Sequence, residues 1–232
     1  MEHRLGMFLR SIVDHRLYAA YHLIALRGLR RGEAAGLRWC DLDLDNRVAV
    51  INSQSQQVGG MIVQRPPKTE ASRRTLALDH TTVAALRRHR HAQEAELAAL
   101  GVDGGGYVFT NIAGQPISPD RLSINLGKLI AASGLPPVRL HDLRHGAASL
   151  ALQAGADLKV VQDQLGHSSI VLTADTYITV VPEVARKSAE DVARLVLNAA
   201  CCAPGSRRPR RPIPRPRTKT LAARPRHQYV SR

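Results

Sequence analysis

The sequence predicts an α+β fold that is mainly α-helical, with one small three-stranded antiparallel sheet. Three observations carry that prediction. Apolar residues recur at three- and four-residue spacing over much of the chain, the β-branched run at 48–51 and the short segments 61–64 and 75–78 look like strands separated by polar turns, and aromatics make up only 3% of residues, which leaves an aliphatic, alanine-lined core. With 232 residues, 44% of them hydrophobic and 22% charged, the chain can bury a sizeable core.

Taken in order, Leu17, Tyr21 and Ile24 fall on one helical face within 12–27, and Gly28 ends that helix. A second short helix is expected over 33–39. The Asp-rich DLDLDN then turns the chain into Val48–Ile51, the first of three predicted antiparallel strands, followed by 61–64 and 75–78. The polar SQSQQVGG and PPKTEASRR separate them. Helical periodicity resumes over 81–100, and the glycine-rich GVDGGG breaks it before YVF and a loop containing Pro116. Further helices are predicted at Pro119–Ala132, 141–154, Leu158–Leu165 and 182–199, with Pro182 suited to a first helical turn.

Charge divides the chain in two. Of its 33 basic and 19 acidic residues, ten basic and no acidic ones lie at 203–232, together with six of thirteen prolines. A folded domain over 1–202 and an extended, disordered Arg/Pro-rich tail over 203–232 are therefore expected. The tail is read either as a solvated extension or as a nonspecific nucleic-acid contact, since a polyanionic partner suits the net charge of +14. Cys40, Cys201 and Cys202 form neither a disulfide framework nor a C-x-x-C clamp, so a reducing cytoplasm is the expected compartment. The N-terminus carries too much charge for a secretory signal, and no run of eighteen apolar residues offers a membrane span.

Chemistry concentrates in RLHDLRH, where His141 and Arg144 stand three apart and share a helical face. His167 follows in LGH and Tyr177 ten residues later in TADTY, while Arg30 lies upstream in GLRRGE and Lys68 between two strands in PPKTEASRR. Scattered cations, two imidazoles and a phenol suit displacement at a phosphodiester. A tyrosine hydroxyl has a pKa of about 10, so it needs cations or a base before it attacks phosphorus. Guanidinium groups bind the nonbridging oxygens with two parallel hydrogen bonds and keep their charge. A lysine can protonate the leaving sugar oxygen, help worth about 100- to 10,000-fold. No divalent ion or other cofactor is required by this scheme.

These patches resemble the catalytic domain of the tyrosine recombinases, the phage-integrase family, from about Ile12 to Glu190. GLRRGEAAGLRW is similar to the first arginine box, PPKTEASRRTLAL to the lysine-bearing β-hairpin, and HDLRH to the H-x-x-R box; LGH and TADTY complete the set. The resemblance implies a catalytic-domain-like fold. It also implies site-specific DNA recombination or integration through a 3′-phosphotyrosyl intermediate, with neither triphosphate nor metal. On this reading Tyr177 is the nucleophile, Arg30 and Arg144 bind the phosphate, Glu33 partners Arg30, Lys68 is the general acid, His141 assists proton movement and His167 binds a nonbridging oxygen. Double-stranded DNA, a DNA-bound homotetramer linked through 182–199, no small-molecule substrate, no membrane and a cytoplasmic, nucleoid-associated, bacterial or phage-derived setting follow from it. Family members usually carry a helical core-binding domain ahead of the catalytic one; with 29 residues before Arg30, its absence is expected here.

Other readings compete. His141 and His145 match a loosened H-x-x-x-H zinc pair, but Asp142 replaces the longer glutamate and a third ligand is missing. Residues 151–165 resemble a helix-turn-helix, which makes a regulator or an inactive, truncated integrase remnant the alternative. A type IB topoisomerase shares the chemistry, although the short step from LGH to TADTY looks more like the recombinases.

Overall fold

The computed structural model describes residues 2–67, 69, 72–166 and 190, and the structural statements below concern those residues. The chain groups into two units, 1–189 and 190–232; the second contains Glu190 alone among the described residues, and the account is of the first. Apart from Glu190, the predicted helix at 182–199 and the tail at 203–232 lie outside the described residues.

Two helices stand where one was predicted at the N-terminus. Helix α1 spans Glu2–Ser11 and α2 spans Tyr18–Arg27, with 12–17 forming tight turns. The amide of His15 donates to the Ile12 carbonyl at 2.9 Å and that of Leu17 to His15 Nδ1 at 3.1 Å. This reversal buries Phe8, Ile12 and Leu17 together. Helix α2 is buried at every position from Ala19 to Ala25, as befits a helix that other elements surround. Tyr21, fully buried, donates its hydroxyl to the Leu122 carbonyl at 3.0 Å. Gly28 ends α2 in the left-handed region, φ 68°, as the sequence anticipated.

Helix α3, Arg31–Gly36, is shorter than the predicted 33–39 and leads through a 3-10 turn at Trp39–Asp41 into strand β1, Leu42–Asp43. Strand β2 is Val48–Ile51, β3 is Gln54–Val58, β4 is Met61–Arg65 and β5 is Arg74–Ala77. A three-stranded antiparallel sheet exists, in the order β1-β2-β5, with Val48 opposite Ala77 and Ile51 opposite Arg74. Its membership corrects the prediction. The strand expected at 61–64 pairs instead with β3 in a separate hairpin, Val58 opposite Met61 across the Gly59-Gly60 tip, and β1 takes its place in the sheet. The polar QSQQV was read as a linker, yet it forms a strand because α3 offers it a bed: a Cβ on Gly32 would lie 2.8 Å from the Ser55 carbonyl oxygen, and one on Gly36 2.8 Å from the Ser55 amide. Only bare α-carbons let the two backbones approach so closely.

The remaining helices fall close to their sequence signals. Helix α4, His80–Leu100, is capped by Asp79, which accepts the Thr82 amide at 2.9 Å, and is ended by Gly101. Helix α5, Pro119–Ala132, starts at Ser118 with proline in its first turn. Helix α6 spans Leu140–Gln153, and α7, Leu158–Leu165, runs from its Asp157 cap to left-handed Gly166. One apolar core gathers α1, α2, the sheet, α4 and α5, while Ala148, Leu152, Val161 and Leu165 form a small cluster between α6 and α7.

Candidate active site

The start of α3 builds the first half of the site. Arg30 is its N-cap residue, with extended backbone, φ −69° and ψ 150°. Its amide donates to Glu33 Oε2 at 2.9 Å, one turn on, and its Nη1 donates to Glu33 Oε1 at 2.7 Å. One carboxylate therefore closes the helix start and fixes the guanidinium. Arg30 Nη2 reaches the Gly166 carbonyl, just past α7, at 3.0 Å.

Glu33 is 2% exposed and holds a second guanidinium. Arg74 donates Nη1 to Oε1 at 3.0 Å and Nη2 to Oε2 at 2.8 Å, a two-pronged pair in which both side chains are buried. Burial alone would push the Glu33 carboxyl up; the hydrogen bonds and charge of Arg74, and then those of Arg30, outweigh it and hold the group below the ordinary carboxylate value. The sequence reading missed Arg74. The available signal was a glutamate among the alanines and glycines of a packed helix, which needs a cation beside it.

Helix α6 supplies the second half. Arg144 is 2% exposed and donates to the Gly28 carbonyl and, from Nη2, to the Leu165 carbonyl at 2.5 Å. Its guanidinium thus joins the end of α2 to the end of α7. His141, one turn earlier on the same face, is exposed and packs edge-on to His145, ring centroids 4.5 Å apart. Partial burial, followed by the His145 and Arg144 charges, lowers the His141 pKa from its ordinary 6.5, so its ring is neutral at pH 7.

These parts meet in one cleft of about 1160 Å³, lined by Arg30, Glu33, His141, Arg144 and Gly166, with Gln54 and Gln56 of β3 and one face of α5 as the opposite wall. Arg30 and Arg74 share the Glu33 carboxylate, and Arg144 is held by backbone carbonyls, so these four side chains together keep a net positive charge. It can bind and polarise an anion with groups already fixed by backbone carbonyls. Of the six sequence candidates, the cleft brings together Arg30, His141 and Arg144; Lys68, His167 and Tyr177 lie outside the described residues, though Thr69 and Gly166, chain neighbours of Lys68 and His167, line the same cleft. Among the described residues no group of three His, Cys, Asp or Glu is arranged to hold a metal ion. No described helix is long and apolar enough to cross a membrane. A smaller cavity of about 310 Å³, between the 12–17 turns and α4, holds none of the candidates.

The helix-turn-helix pattern at 151–165 is present as the end of α6, a turn and α7. Its inner face packs in the small apolar cluster, and its last carbonyls serve Arg144 and Arg30. The pair therefore belongs to the cleft. Arg27, just before Gly28, pairs with Asp79 at 2.5 Å and ties α2 to the start of α4.

Comparison with known proteins agrees with this architecture. The sequence model described as "Phage integrase family" matches residues 6–183. A "Tyrosine recombinase XerC-like" protein of Caldanaerobacter subterraneus subsp. tengcongensis is 31% identical over 188 residues, 75% of this chain and 48% of its own. The "ICEBs1 integrase" of Bacillus subtilis is 29% identical over 180 residues, 76% of this chain and 49% of its own. The chain thus spans about half the length of these relatives. Among solved structures, the Tn1549 transposon integrase in complex with transposon right end DNA superposes with a TM-score of 0.69 at 24% identity, over 83% of this chain and 65% of that one. XerA recombinase superposes with a TM-score of 0.65 at 21% identity, over 81% and 64%. Both share the fold of the described domain.

Proposed function

The chain belongs to the phage integrase family, and from that premise we propose that it breaks and rejoins DNA by transesterification at a site-specific phosphodiester. The observation that carries the proposal is the convergence of Arg30 and Arg144 on one cleft with His141 beside them, although 114 positions separate the two arginines in sequence. A phosphate in that cleft meets two guanidinium groups already ordered by carbonyl partners, so charge developing on phosphorus is stabilised without reorganisation.

In this reading the Tyr177 oxygen bonds to the scissile phosphorus as the bond to the 5′-oxygen breaks. The phenolic proton leaves with help from the neutral His141 ring. Lys68 supplies a proton to the departing oxygen, and His167 hydrogen-bonds a nonbridging oxygen. The reverse attack, by a 5′-hydroxyl of a partner strand, reseals the linkage and returns both protons. One ester replaces another, so neither a triphosphate nor a metal is needed. Double-stranded DNA is the substrate, and four copies on DNA are the proposed working assembly.

Incubation with a duplex nicked next to the target linkage tests this. The expected result is a covalent protein–DNA adduct that forms equally in a strong chelator and is absent from Tyr177→Phe. No adduct across a library of integrase-type core sites would overturn the enzyme reading in favour of a DNA-binding remnant.

A further inference from the structure

Arg74 does more than neutralise a glutamate. Its side chain is 6% exposed and makes four hydrogen bonds in three directions: the pair to Glu33, one from Nη1 to the Ser72 carbonyl at 3.0 Å, and one from Nε to the Gln164 carbonyl at 2.7 Å. Each direction leads to a different part of the site. Glu33 holds Arg30. Ser72 lies four residues after Lys68, and its hydroxyl lies 3.4 Å from Arg30 Nη1 and 3.0 Å from the hydroxyl of Thr69, the residue after that lysine. Gln164 is in the last turn of α7, three residues before His167. Three chain segments far apart in sequence therefore meet on one planar, permanently charged group.

The charges point the same way. Were Glu33 paired with Arg30 alone, the carboxylate would cancel the cation meant for phosphate. With Arg74 sharing it, the trio keeps one positive charge. A lysine cannot reproduce this, because an ammonium is a point donor without the fixed fork that spans carboxylate and carbonyl together.

We infer that Arg74 is a positioning residue of the transesterification site: it fixes Arg30, the Lys68 segment and the end of α7 relative to one another and offsets the Glu33 charge. The inference rests on the transesterification reading above, and its test separates the two. Arg74→Gln and Arg74→Lys are compared with wild type on nicked duplexes carrying either an ordinary 5′-oxygen leaving group or a bridging 5′-sulfur, which departs as a thiolate without needing a proton. Misplacement of the Lys68 segment costs general-acid help, so Arg74→Gln should form adduct about 100-fold more slowly on the oxygen substrate and lose no more than about 10-fold on the sulfur substrate. DNA affinity should stay within about threefold, and Arg74→Lys should fall between wild type and Arg74→Gln. A purely structural role would slow both substrates alike, and equal losses or no loss would overturn the inference.

Amide hydrogen exchange is measured on the same proteins. Faster exchange in Arg74→Gln confined to 30–33, 72–74 and 164–166 is expected, with α4 and α5 unchanged. If wild type forms no adduct, the enzyme reading fails by itself; the exchange pattern then still decides Arg74, and unaltered exchange in those three segments would overturn its positioning role.

Discussion

Arg144 and Gly28, 116 residues apart, are bound to each other: the guanidinium on α6 donates to the carbonyl of the left-handed residue that ends α2. Gly28 is also hemmed in by side chains, since a Cβ there would lie 2.7 Å from Leu165 Cδ2 and 3.7 Å from Arg144 Cγ. A backbone requirement and a packing requirement thus coincide at the residue that orients a candidate phosphate ligand.

Gly28→Ala should therefore be costly. A left-handed alanine costs about 1–2 kcal/mol and forced overpacking a further 1–3 kcal/mol. A loss of about 2–5 kcal/mol in urea unfolding is expected, with adduct formation reduced in the fraction that stays folded. A loss of only about 1–2 kcal/mol, the backbone part alone, would show that Leu165 yields easily.

Arg144→Ala is expected to abolish cleavage while leaving much of the DNA affinity. The structure adds a second effect, because the side chain is buried and serves two carbonyls. Leaving buried acceptors unsatisfied costs about 1–3 kcal/mol each, so thermal unfolding should shift down as well. Cleavage assays below the lowered transition, paired with affinity measurements, separate the two effects.

Glu33→Gln removes the charge that two guanidinium groups share, and breaking a buried pair in this way costs about 3–5 kcal/mol. The folded carboxyl has a lower pKa than the unfolded one, so its stabilisation is fully present above the ordinary value of 4.5 and is lost as pH falls through the folded value. Unfolding free energies of wild type and Glu33→Gln should differ most at pH 7 and converge below pH 4.5. A gap that does not change with pH would place the stabilisation elsewhere.

In the proposed mechanism His141 acts in its neutral form. Cleavage should rise with pH along a limb whose midpoint lies below 6.5, the ordinary histidine value, and be level by neutral pH. His141→Asn should slow cleavage and remove that limb. A limb that survives the substitution belongs to another group.

Truncation after Cys202 should weaken DNA binding mainly at low salt. Every phosphate that the tail no longer neutralises flattens the slope of log affinity against log salt by about 0.9, so a decrease of about 2 or more is expected if several of the ten basic residues touch DNA. An unchanged slope would leave the tail without a part in DNA binding.

Much of the fold was legible where local chemistry sets element ends. The helices predicted at Pro119–Ala132 and Leu158–Leu165 stand at those bounds as α5 and α7, where Ser118 and Asp157 cap their starts and Gly166 closes the second. What escaped depends on distant partners. Helix α1 is anchored by few apolar residues among charges, and QSQQV shows no hydrophobic alternation because its burial comes from its seat on α3. The site followed the same rule. Arg30, His141 and Arg144 announced themselves through short motifs, whereas Arg74 gains its meaning from Glu33, 41 residues away, and from a carbonyl on α7, 90 residues away.

The seating of β3 on Gly32 and Gly36 divides that hairpin into a root and a tip with opposite freedoms. At the root, any larger residue at Gly32 or Gly36 would collide with strand backbone; at the tip, a Cβ on Gly59 or Gly60 would meet nothing within 4 Å, and only their left-handed backbone, φ 57° and 82°, restricts the residue. The ribbon is thus limited by space at its base and by backbone angle alone at its far end, so an asparagine or aspartate, which tolerates that angle, fits a tip position where nothing but glycine suits the base.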